Sequence, residues 1–268
     1  MSRLQATFAR LRGEGRVALM PYLCVGHPSA EALLDIVPAA EAAGADLFEL
    51  GIPFSDPLAD GATIQAATQR ALEHGTRVEQ CFAQAHALRQ RGVTAPFTLM
   101  GYYNPVFQRG LDRFCAEAAD AGVDGLIVPD LPPEEADDLV AATHAHGVDL
   151  VFMLAPTSTD ARIRLVAEQA SGFIYLVSLV GATGARNSLP VELEAFVERV
   201  RAATDLPLAV GFGIGDAAQA GRVARIADGV IVGSAVVRVA DRAADPAAEV
   251  AQFVSELRAG IDAAARIT

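Results

Sequence analysis

Eight short apolar runs recur along the chain, and segments with helical spacing lie between them. The runs cover residues 17–25, 47–51, 97–101, 125–128, 150–154, 173–178, 206–211 and 229–233. They are rich in Val, Ile, Leu and Phe without strict alternation, as parallel strands covered on both faces require. Helical candidates fall at 30–43, 78–91, 111–121, 134–146, 160–169, 191–203 and 217–227. From the third run onward the starts recur at the spacing of a βα unit. This pattern predicts an α/β fold, a (β/α)8 TIM barrel, formed by residues 1–268 as one domain. Two additions are expected. Leu4, Phe8 and Leu11 predict an extra N-terminal helix plugging the barrel bottom, and a further helix near 62–74 lengthens the second unit. An open doubly wound sheet shares the alternation, but no G-x-G-x-x-G run opens the first helix. No linker or charge block divides the chain.

A formal net charge of −12 opposes binding to nucleic acid or to an anionic membrane, both of which need a basic footprint. No apolar stretch is long enough for a membrane helix, and the polar, Arg-containing start lacks the apolar segment of a secretory signal. The expected location is cytoplasmic. Cys24, Cys81 and Cys115 include no Cys-x-x-Cys pair and suit reduced, buried thiols. The same charge repels a phosphorylated ligand at long range, so a phosphate site must be built locally from backbone N–H groups and helix N-termini.

The run Leu47 to Gln65 concentrates the unusual chemistry. Glu49 is flanked by apolar residues near a strand end, and Asp56 and Asp60 follow on a loop broken by Gly51, Pro53 and Pro57. Two carboxylates in unlike environments form an acid and base pair. The alternative is a salt-bridged core Glu49 and an Asp60 that caps the next helix. Glycines cluster after the seventh run, at Gly211 to Gly215, and after the eighth, at Gly233-Ser234, where barrels bind phosphate; helices starting near Asp216 and Ser234 can aim their N-termini at it. The long, glycine-punctuated segment 179–190 suits a lid. Tyr175 points either into the barrel mouth or outward to a helix.

The stretch holding Glu49, Gly51, Pro53, Phe54, Ser55, Asp56, Pro57, Leu58, Ala59, Asp60, Gly61, Ile64 and Gln65 closely resembles the signature of the tryptophan synthase α-subunit family. The resemblance implies a lyase that splits indole-3-glycerol phosphate into indole and glyceraldehyde 3-phosphate. It implies that Glu49 and Asp60 are catalytic, with Thr183 orienting Asp60. Gly184, Gly213, Gly233 and Ser234 become phosphate contacts. Tyr175 lines the substrate site, and Tyr22, Met100 and Ile127 supply apolar walls for the indole ring. Tyr102 to Pro105 and Pro129 to Pro133 read as proline-stiffened loops at strand ends. The resemblance implies that the rim they form, through Asp56, Pro57, Asn104, Asp130 and Pro132, docks a β subunit that carries pyridoxal phosphate, in an α2β2 assembly, with no cofactor in this chain. Position 22 is commonly phenylalanine in the family, position 62 proline, and position 182 valine or threonine. Tyr22, Ala62 and Ala182 are therefore departures.

The five histidines are scattered and predict no metal site. Two other readings remain at this point, a sugar-phosphate isomerase on the same barrel and a regulatory subunit without catalysis. The first would release no indole, and the second would not retain Glu49, Asp60 and Thr183 together.

Overall fold

The structure, a computed structural model, describes residues 1–177, 191–211 and 213–265. Helix α1 (Arg3–Gly13) precedes β1 (Ala18–Cys24), and α2 (Leu33–Ala42) leads to β2 (Phe48–Gly51). Helices α3 (Ala62–Glu73) and α4 (Val78–Gln90) precede β3 (Phe97–Met100), and α5 (Tyr103–Arg109) and α6 (Leu111–Asp120) precede β4 (Gly125–Ile127). A 3-10 turn (Pro133–Glu135) and α7 (Asp137–Ala145) lead to β5 (Asp149–Val151) and β6 (Met153–Leu154). The order continues with α8 (Asp160–Gln169), β7 (Ile174–Val177), α9 (Val191–Arg201), β8 (Leu208–Gly211) and α10 (Ala217–Ala224). Strand β9 (Gly229–Val232) is followed by α11 (Ser234–Arg242) and α12 (Pro246–Ala265).

All strand pairings are parallel, in the order β5-β4-β3-β2-β1-β9-β8-β7-β6. The two ends of that order are separated in sequence by Phe152 alone. Its carbonyl accepts the Tyr175 N–H at 3.0 Å. The expected fifth strand is thus one extended segment interrupted at a single residue, pairing with β4 on one side and β7 on the other. This closes the sheet into a barrel and removes the open-sheet alternative.

Side chains alternate across each strand, which divides the apolar residues into two cores. On β1, Ala18, Met20, Tyr22 and Cys24 join an inner cluster within the barrel, while Leu19 and Leu23 join the outer one beneath the helices. Helix α1 closes the barrel bottom as its spacing predicts. A Ser2–Gln5 capping box starts it, Leu4, Phe8 and Leu11 are buried, and the Phe8 ring meets Phe173 at 5.6 Å. Gly125 and Gly172 make room for Leu4, because a Cβ on either would lie about 3 Å from its Cδ1 (2.9 and 3.1 Å).

Three carboxylates brace the N-terminal ends of the strands in the same manner. Asp46 accepts from Leu19 N at 3.1 Å and Arg258 at 2.9 Å. Asp124 accepts from Phe97 N and Arg89, each at 2.7 Å, and Asp228 from Leu208 N at 2.9 Å and Arg201 at 3.0 Å. This end of the barrel serves stability.

Two elements differ from the sequence reading. The stretch Tyr102 to Pro105, expected as a stiff loop, begins α5, because proline is tolerated in a first helical turn and Asp130 Oδ1 accepts the Tyr103 N–H at 2.8 Å. Helix α12 was not among the helical candidates. Among the described residues, no helix is long and apolar enough to cross a membrane.

Candidate active site

Glu49 occupies the second position of β2, in register with Tyr22 of β1 and Thr98 of β3. The strand alternation turns it into the barrel interior, where it is 1% exposed. Its Oε2 has no hydrogen-bond partner among the described residues, and it forms no ion pair there, so the salt-bridged alternative does not apply. Burial, followed by the nearby negative charge of Asp60, pushes its carboxyl up to about 8. At neutral pH Glu49 is therefore mainly a neutral acid, a proton donor in a greasy setting.

Asp60 belongs to the loop between β2 and α3. It does not cap that helix, whose N-cap is Gly61 with no side-chain cap. Its carboxylate instead accepts from the Tyr102 hydroxyl at 3.1 Å, and the same hydroxyl accepts the Ala59 N–H at 2.9 Å. The Tyr102 ring stacks on Phe54, with centroids 5.1 Å apart. The backbone here is held by Gln65, whose amide donates to Asp60 O at 2.9 Å. Half-burial pushes the Asp60 carboxyl up, and the Tyr102 hydrogen bond pulls it partly back. Tyr102 is a site residue that the sequence reading placed on the rim. Its signal was its position, immediately beyond the C-terminal end of β3, where barrel sites form.

The three apolar wall candidates, Tyr22, Met100 and Ile127, lie in the inner cluster together with Tyr175, and Ile64, Met153 and Val177 pack at its edge. Tyr175 thus points inward. Glycines at strand ends admit the ring tips: a Cβ at Gly51 would lie 2.1 Å from the Tyr22 hydroxyl, and one at Gly211 2.2 Å from that of Tyr175. The Cys24 thiol meets the Thr68 hydroxyl at 3.9 Å, and burial pushes it up to about 12.

Beyond the ends of β8 and β9, Gly213 has φ +77°, and Gly233 is the N-cap of α11, which lacks a side-chain cap. Ser234 begins that helix. By contrast, α10 is capped by Asp216, which accepts from Gln219 N at 2.8 Å, and Gly215 N–H is taken by Gln219 Oε1 at 2.6 Å. Of the two helix starts expected to face an anion, α11 keeps its N-terminal donors uncapped, while α10 spends its own internally. Thr183 and Gly184, with the rest of 178–190, lie outside the described residues.

On the rim, Asp56, Asn104 and Asp130 are exposed, and Pro57 and Pro132 are half-buried. Two large apolar side chains stand out among them, Leu58 at 93% and Phe107 at 57% exposure.

The model of a protein family described as tryptophan synthase alpha chain matches residues 8–266. The chain is 56% identical to the tryptophan synthase alpha chain of Roseiflexus sp. (strain RS-1) over 260 residues, covering 96% of this chain and 100% of that one. It is equally identical, over 263 residues, to the alpha chain of Chloroflexus aurantiacus, covering 97% and 99%. Among solved structures it is similar to tryptophan synthase subunit alpha of Legionella pneumophila, with TM-score 0.92, 37% identity and coverage of 98% and 99%. It is also similar to a chain of Mycobacterium tuberculosis tryptophan synthase, with TM-score 0.89, 40% identity and coverage of 97% and 98%.

Proposed function

The chain belongs to the tryptophan synthase alpha chain family, and from that premise we propose that Glu49 and Asp60 carry out its chemistry. The enzyme is a carbon–carbon lyase of tryptophan biosynthesis, cleaving indole-3-glycerol phosphate to indole and glyceraldehyde 3-phosphate. The observation supporting the residue assignment is the buried Glu49 carboxyl, whose Oε2 has no hydrogen-bond partner among the described residues, near a second carboxylate and among the apolar side chains of the barrel interior.

The resting protonation state sets the order of steps. Neutral Glu49 gives its proton to the ring carbon that bears the side chain, and positive charge builds on the indole N–H. Asp60, held by Tyr102, accepts that N–H and stabilises the charge. The Glu49 carboxylate then removes the proton of the adjacent side-chain hydroxyl. As the carbonyl forms, the carbon–carbon bond breaks and its electron pair returns to the ring, which leaves as neutral indole. Glu49 ends protonated, ready for the next turnover. The chain contains no lysine, so an imine route through a lysine amine is closed to it.

Met100, Ile127, Tyr22 and Tyr175 hold the indole ring, and Gly213, Gly233 and Ser234 hold the phosphate at the uncapped start of α11, with Gly184 from the neighbouring loop. Thr183 orients Asp60. The family implies a β partner. We assign its docking to Asp56, Pro57, Asn104, Asp130 and Pro132, with Leu58 and Phe107 as the apolar anchors, in an α2β2 assembly in the cytoplasm. Pyridoxal phosphate belongs to that partner, and this chain works without a cofactor as one domain. Incubation with indole-3-glycerol phosphate, with and without a β subunit, tests the reading. Indole release supports it, and no indole in either arm refutes it.

A further inference from the structure

Asp241, near the end of α11, is approached by donors from two other elements. His27 Nε2, from the loop after β1, lies 3.2 Å from Asp241 Oδ1, and Arg70 NH1 of α3 pairs with the same oxygen. His27 is buried, at 3% exposure. The loop that carries it is held again by α3, because the His74 ring nitrogen Nδ1 meets Gly26 O at 3.0 Å. One carboxylate therefore joins the β1 loop, α3 and α11.

The two helices also meet at their starts, where a Cβ on Gly233 would lie 3.7 Å from Ile64 Cδ1. They therefore run side by side in the same direction, touching at the first turn and tied near the last. From Ala62 to Arg70 and from Ser234 to Asp241 the rises are about 12 Å and about 11 Å, so the tie closes two levers of nearly equal length. Just ahead of α3 stands Asp60, and α11 opens at Gly233-Ser234.

We propose that Asp241 is a positioning residue, which locks α3 against α11 and thereby sets the separation between the carboxylate at the indole N–H and the donors at the phosphate. This rests on the assignment of Asp60 and of the α11 start given above. The tie is half-exposed, with side-chain exposures of 32% for Asp241 and 51% for Arg70. The Arg70 arm of the tie therefore adds little to global stability and its loss acts on geometry, while the buried His27 arm fixes the β1 loop. A substrate held at both ends loses most when that separation drifts.

The test compares indole-3-glycerol phosphate with its phosphate-free analogue, indole-3-glycerol, in the parent chain and in Asp241→Ala. KM for the phosphorylated substrate rises about tenfold while kcat changes less than about threefold, and kcat/KM for the phosphate-free analogue stays at the parent value. Asp241→Asn, which keeps an acceptor oxygen in place, recovers most of the loss. An unchanged KM, an equal loss on both substrates, or an Asn variant no better than Ala overturns the proposal. If the parent chain uses both substrates equally well, the phosphate grip fails and the tie falls with it. If the parent strongly prefers the phosphorylated one and Asp241→Ala keeps that preference undiminished, the grip stands and the tie alone is refuted.

Discussion

The Tyr102 hydroxyl donates to the Asp60 carboxylate at 3.1 Å while accepting the Ala59 N–H at 2.9 Å. A residue from the end of β3 thus fixes both the backbone and the side chain of the loop after β2. The bond also pulls the Asp60 carboxyl back towards its ionised form, against the burial that pushes its pKa up.

Tyr102→Phe removes that bond and keeps the ring stacked on Phe54. The hydrogen bond lowers the Asp60 pKa, so its loss raises it, and the acid limb of the pH profile of kcat/KM moves to higher pH. A hydrogen bond to a charged group is worth roughly 1.5–3 kcal/mol, so kcat/KM falls at least about tenfold near neutral pH. Steady-state indole release across a pH series measures both effects.

Glu49 also leaves a signature in stability. Its carboxyl is raised from the ordinary 4.5 to about 8 in the folded chain. Between those values the folded state keeps a proton that the unfolded state has lost, so stability falls as pH rises through the window and levels off above it. Over the full window the loss is on the order of 4–5 kcal/mol. Glu49→Gln cannot ionise and escapes this loss. Thermal melting should give the variant and the parent similar midpoints near the bottom of the window, and a higher midpoint for the variant above its top. A constant offset across the range contradicts a raised Glu49.

The carboxylates at the other end of the barrel act on stability and not on the reaction. Asp124 accepts from Phe97 N and Arg89. Asp124→Ala leaves Arg89 half-buried without its partner, which costs about 3 kcal/mol in urea unfolding, while kcat and KM stay near the parent values. A fall in kcat without a fall in stability would place Asp124 in the chemistry instead.

The strands were legible because a parallel strand covered on both faces must be apolar throughout, and each predicted run contains or overlaps its strand. The same property hid the direction of Tyr175. With both neighbouring faces apolar, only the pairing of Tyr175 with Met153 and Ala209 turns it inward. The interruption at Phe152 leaves no local trace, since it reflects pairing with two different neighbours. Asn104-Pro105 reads as a turn, and the acceptor that lets a helix start there, Asp130, lies far along the chain. For α12 the signal was present: Val250, Val254, Leu257 and Ile261 are spaced on one helical face, and all are fully buried. At the site, the carboxylates stood out as charge in or beside an apolar run. The Tyr102 bridge did not, because it depends on the ring of Phe54 and the loop of Asp60 arriving from another βα unit. Similarly, only the caps of α10 and α11 distinguish which glycine-rich turn keeps its donors uncapped.

The most direct measurement is a single-turnover assay of Glu49→Gln with indole-3-glycerol phosphate, paired with equilibrium dialysis of the same substrate. Each proton transfer is worth about 10²–10⁴ in rate, so a side chain that performs both loses at least about 10³-fold in indole formation when it can no longer ionise. Undiminished substrate binding together with that loss is the predicted result. Indole formation within about tenfold of the parent rate would contradict the assignment of either transfer to Glu49.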